Sequence, residues 1–81
     1  MISNNLITKA RNILVEIQLR SSSQRIAGKI IDFDGDFVEV LVRVNEKTGE
    51  FAADRSAFKN ESGGMKDDRV LISMRDISLI A

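Results

Sequence analysis

GKIIDFDGDFVEVLV, residues 28–42, decides how this chain folds. It places a glycine ahead of two aliphatic residues, gathers Asp32, Asp34 and Asp36, and then alternates apolar and polar side chains. The carboxylates admit three readings: a metal loop, an acid–base pair, or the corner between two β-strands. A D-x-D-x-D calcium loop needs a glutamate seven positions after its third aspartate, and position 43 is Arg. Acid–base work needs a cleft and shifted carboxyl groups, for which the sequence gives no sign. Asp-Gly is a favoured hairpin corner, and the corner reading is the one that fits what flanks it.

After the corner, residues 37–44 set Val38, Val40, Val42 and Val44 on one face and Phe37, Glu39, Leu41 and Arg43 on the other. That period of two predicts a half-buried strand. Before the corner, residues 26–33 predict a second strand with Gly28 inside it, and a strand-interior glycine marks a bend or bulge. Further upstream, residues 15–20 alternate in the same way, and Ser21-Ser22-Ser23-Gln24 reads as a turn. Leu6, Ile7, Ala10 and Ile13 recur at helical spacing, predicting a helix over about 4–12. Residues 70–73 and 77–80 predict two short terminal strands around a Met74-Arg75-Asp76 corner. Residues 45–68 read as a variable region, with Phe51-Ala52-Ala53 extending a hairpin. One helix and five short strands, one of them bent, predict a single small, strongly bent barrel spanning residues 1–81.

At 81 residues with neither Cys nor His, disulfides, thiolate or imidazole metal sites and histidine bases are excluded. No metal, other cofactor or catalytic residue is expected. A domain of this size is marginal unless supported, and oligomerisation is the support left open. The start shows no signal-peptide pattern and no stretch approaches a membrane span, so an intracellular, cytoplasmic protein without membrane association is expected. Net charge is zero, yet unevenly spread. Residues 1–31 carry Lys9, Arg11, Arg20, Arg25 and Lys29 against Glu16, whereas residues 32–68 carry ten acidic groups against five basic ones. The basic part predicts a local positive patch.

Gly28, Ile30, Phe33, Asp34, Phe37, Val38 and Leu41 together resemble the first motif of the Sm and Sm-like proteins, including the Hfq branch. The segment from Ile72 to Ile77 is similar to the second motif, and the resemblance runs along the chain apart from residues 45–68. It implies a five-stranded, strongly bent SH3-like barrel that closes into a ring of about five to eight subunits through its fourth and fifth strands. Leu71, Ile72, Leu79 and Ile80 would lie at that interface, where sheet edges would otherwise be bare. The family function implied is binding of single-stranded RNA. The positions that hold uridine in the family correspond here to Asp36, Val38 and Ser73, which cannot stack, read or clamp a base as the family does. Arg75 matches a pore-facing position, and Lys9 and Arg11 would add a basic rim, so weak backbone contact is expected. For Arg75 a salt bridge with Asp76 or with another subunit is the competing expectation. A ring without RNA binding, acting as an assembly or protein-interaction scaffold, is the alternative function.

Overall fold

The computed structural model describes residues 4–59 and 64–81. In chain order the elements are α1 (Asn4–Ala10), β1 (Leu14–Leu19), β2 (Arg25–Phe33), β3 (Phe37–Asn45), α2 (Arg55–Lys59), β4 (Met65–Ser73) and β5 (Ile77–Ile80). A single 3-10 turn, Met74–Asp76, links the last two strands. Among the described residues no helix is long and apolar enough to cross a membrane.

The strands form one antiparallel sheet in the order β4-β3-β2-β1-β5. In a flat five-strand sheet the outer strands lie roughly 19 Å apart at the usual spacing. The four Cα steps from Ser73 to Ile77 reach at most roughly 14 Å. The sheet therefore has to curl. Two features of β2 provide the bend. At Gly28 an added Cβ would lie 2.6 Å from the Leu41 carbonyl oxygen and 2.7 Å from Val40 Cγ1, so the two strands approach more closely than any side chain permits. Farther along, the register with β3 slips between Ile30 and Asp32, a bulge that sharpens the local twist.

The curl stops short of the closed barrel expected from the sequence. β4 and β5 are the two ends of the sheet and do not pair with each other. The link between them is long enough for a hairpin, but its three residues form a 3-10 turn, after which β5 pairs with β1 instead of folding back on β4.

The concave face holds the core. Ile7 and Ala10 of α1 meet Val15, Ile17, Ile26, Ile30, Val38, Val40, Val42, Ile72, Met74 and Ile77 there. The helix is shorter than the span of about 4–12 suggested by its periodicity. Arg11 bridges to Ile30 and Asn12 adopts a φ of 63°, which ends the helix at Ala10. Leu6 and Ile13 are accordingly left partly exposed.

A smaller apolar cluster lies on the convex face, where Ala27 of β2 is covered by Ala52 and Phe58. This is the region expected to be variable over residues 45–68, of which residues 60–63 lie outside the described set. Phe51 does bridge back to Val44, and the chain then folds as α2 over the sheet. Ala27 donates its amide to the Ala52 carbonyl at 2.7 Å, and Ala52 donates to Arg43 at 2.9 Å. Glu16 fastens the cover: its carboxylate accepts from the guanidinium groups of Arg25 and Arg55, each at 3.3 Å, and from the Arg55 amide at 3.2 Å. β4 begins at Met65, five residues before the strand expected at 70. Its first half, Lys66-Asp67-Asp68-Arg69, is exposed along its whole length and so carries no apolar alternation.

Candidate nucleic-acid interface

The corner between β2 and β3 is built around one carboxylate. Asp34 Oδ1 accepts the backbone amides of Gly35, Asp36 and Phe37 at 2.9, 2.9 and 3.0 Å. These bonds, the one from Phe37 foremost, hold the Asp34 carboxyl below its ordinary range by stabilising the ionised form. Asp32 accepts the amide of Phe33 next to it. Across the strand pair Asp32 faces Glu39, which in turn faces Leu71. These two acids and Asp34 border a shallow depression of about 180 Å³ with Phe33, Phe37 and Leu71. Among the described residues no three acidic groups are arranged to hold a metal ion.

A second concavity, about 360 Å³, opens beside the corner. One wall is Gly35, Asp36 and Phe37; the other is Ser73, Met74 and Arg75. The amide of Met74 donates to the Asp36 carbonyl at 2.9 Å and ties the walls together. Ser73 Oγ accepts the Arg75 amide at 3.3 Å and caps the 3-10 turn. The structure thus brings Asp36, Ser73 and Arg75 together, as three positions around one opening. It sends Val38 elsewhere: that side chain is fully enclosed in the core and takes no part in the concavity.

Arg75 is exposed, and its guanidinium has no ion-pair partner among the described residues. The neighbouring Asp76 is engaged elsewhere, accepting from the amide and the hydroxyl of Ser21 at 2.8 and 2.9 Å. The intrachain Arg75–Asp76 bridge is therefore not formed. Lys9 sits exposed in the last turn of α1, and Arg11 lies just beyond the helix, also exposed.

Phe37 carries no site expectation from sequence, yet it is 47% exposed. It lines both depressions, offering an aromatic ring between the Asp36 wall and the Leu71 surface. The signal is present in the alternation of β3, which puts Phe37 on the same outward face as Glu39 and Arg43. Gly28 and Phe33 serve the fold, Gly28 by its close approach to β3 and Phe33 by packing against the core.

The four residues expected at a ring interface divide into two pairs. Leu71 and Leu79 are exposed, at 68% and 47%, on the two strands that end the sheet. Ile72 is buried in the core and can offer an interface only its backbone, whereas Ile80 packs against the core and keeps part of its side chain exposed.

No family model, curated protein or solved structure matches this chain.

Proposed function

We propose that this protein self-associates through the open edges of β4 and β5 and contacts single-stranded RNA at the concavity between Asp36 and Arg75. The observation that carries the RNA reading is the composition of that concavity. An exposed arginine without an ion-pair partner among the described residues lines the same opening as an exposed aromatic ring and Ser73. Arginine pairs with phosphate, and aromatic faces stack on unpaired bases. Lys9 and Arg11 extend the positive surface for backbone contacts that do not depend on sequence.

Self-association is supported by the two unpaired edges, each bearing an exposed leucine. Edge strands of this kind pair with another chain unless something blocks them. Head-to-tail pairing of β4 on β5 closes a ring when the rotation permits, and repetition then multiplies Arg75 around the assembly. This is the arrangement implied by the resemblance to the Sm-like proteins. The protein is proposed as a divergent relative of that family, closing its barrel-like sheet only with a neighbour's strand.

Native mass spectrometry with and without an unstructured RNA decamer tests both parts. A closed oligomer that gains RNA mass at low salt, and loses it as salt rises, is expected. A monomer removes the assembly reading. An assembly that takes up no RNA at low salt removes the RNA reading and leaves a protein-interaction scaffold, the second function that the acidic depression beside Leu71 favours.

A further inference from the structure

We infer that the concavity selects guanine among the four bases, an inference that rests on the RNA reading above. Its basis is the Asp36 carboxylate. The backbone of Asp36 is occupied, its amide donating to Asp34 and its carbonyl accepting from Met74. The carboxylate itself has no hydrogen-bond or ion-pair partner among the described residues, and Asp36 lines the same opening as Phe37 and Arg75. Asp34, two residues before it in the corner, is committed to three amides and cannot serve a ligand.

An ionised carboxylate is an acceptor only, with two oxygens side by side. It matches an edge that presents two adjacent N–H donors. Guanine offers that pair, N1–H beside the 2-amino group. Adenine and cytosine each set one amino donor beside a ring acceptor, and uracil flanks its single N–H with two carbonyls. Three of the four bases thus bring a lone pair against the carboxylate, which is repulsive and leaves polar groups unsatisfied. Phe37 supplies a face on which the base stacks without regard to identity. Arg75, on the opposite wall, takes the phosphate that the acidic corner repels, which fixes the direction in which the nucleotide enters. The volume of about 360 Å³ lies within the range of roughly 300–1,000 Å³ typical of small-ligand sites.

Fluorescence anisotropy with labelled RNA octamers tests the assignment. The strands are unstructured and identical except for one central nucleotide. The guanine strand is expected to bind about tenfold or more tightly than the other three, the discrimination a bidentate pair provides. Replacing that guanine by inosine, which lacks the 2-amino donor, should remove most of the preference. Asp36→Asn should abolish the guanine preference while keeping sequence-independent binding, because its amide sets a donor where the carboxylate had an acceptor, whereas Arg75→Ala should weaken all four strands alike. Guanosine monophosphate, tested beside the other three monophosphates, shows whether the base is recognised outside a strand, and a preference abolished by Asp36→Asn supports the assignment. Equal binding of the four strands, or a guanine preference that survives Asp36→Asn, overturns the guanine assignment alone. Absence of binding to every strand at low salt overturns the RNA reading itself.

Discussion

The amide of Met74 donates to the carbonyl of Asp36 at 2.9 Å, joining the β2–β3 corner to the turn that separates β4 from β5. Met74 is also buried, at 2% exposure. The wall that presents Arg75 is thus anchored from beneath by a core side chain and from the side by a backbone bond. Two segments far apart in sequence are held side by side, which fixes the backbone positions of Asp36 and Arg75 relative to each other.

Asp34 is the acceptor on which the corner depends. Asp34→Ala should lower the midpoint of thermal unfolding, and Asp34→Asn should lower it less because an amide oxygen still accepts. Its carboxyl is held low in the folded state, so its contribution is present above the unfolded value near 3.8 and disappears as pH falls through the folded one. Circular dichroism melts from neutral to strongly acidic pH should show a loss of stability toward acid that is smaller in Asp34→Asn. An unchanged loss in that variant would mean the three amides are not held by this carboxylate.

Gly28→Ala places a methyl group within 2.6 Å of the Leu41 carbonyl oxygen. Backbone must move to accept it, and overpacking of this kind costs about 1–3 kcal/mol. Urea unfolding should show a lower midpoint with an unchanged slope.

Ile72 and Leu71 are neighbours in sequence with opposite roles. Ile72→Ala empties part of the core and should destabilise the fold by about 2–5 kcal/mol. Leu71→Ser and Leu79→Ser remove exposed side chains and should leave subunit stability within about 0.5 kcal/mol. Sedimentation of the two serine variants should show a smaller assembly, since each removes apolar surface at an open edge. Wild-type mass in both would exclude those leucines from self-association.

Arg75→Ala should not change stability, since its guanidinium has no ion-pair partner among the described residues. RNA affinity should fall, and the slope of log affinity against log salt should shrink by about 0.7 for each phosphate the arginine neutralises. Filter binding over a salt series measures both. Lys9→Ala and Arg11→Ala should reduce that slope without altering the base preference.

Glu16 holds α2 and β2 together through Arg25 and Arg55. Glu16→Ala should cost about 1–2 kcal/mol, a modest figure because both arginines are half exposed and screened. Amide exchange should quicken most in α2 and around Ala52, while the concave core keeps its protection.

What can be read from the chain follows from how each segment is buried. β3 shows period two because one face lies in the core, and its expected span of 37–44 differs from Phe37–Asn45 by one residue. β5 runs over Ile77–Ile80, as its apolar pattern implies. Asp34 is legible as a corner residue because Asp-Gly carries its own turn chemistry. The first half of β4 is not legible, since strand pairing through the backbone leaves no trace when every side chain is solvated. α2 is only five residues long and buries Phe58 alone, too little for a helical period to emerge. Full closure of the sheet does not follow from the sequence, because bending signals such as Gly28 report curvature and do not report whether the edges meet. Phe37 shows the converse: the alternation identifies its outward face, but only the fold shows that this face lies beside Arg75's turn.

Ala27 has Ile26 and Gly28 facing the concave core on either side of it while its own methyl group lies under Phe58. One strand therefore serves as the shared wall of two compartments, and the compartments tolerate change differently. Added length or a fused tag should be accepted in the exposed 46–50 turn, which touches neither compartment. A bulky residue at position 27 should lift the outer compartment away and uncover Ala52 and Phe58, adding exposed apolar surface that favours aggregation.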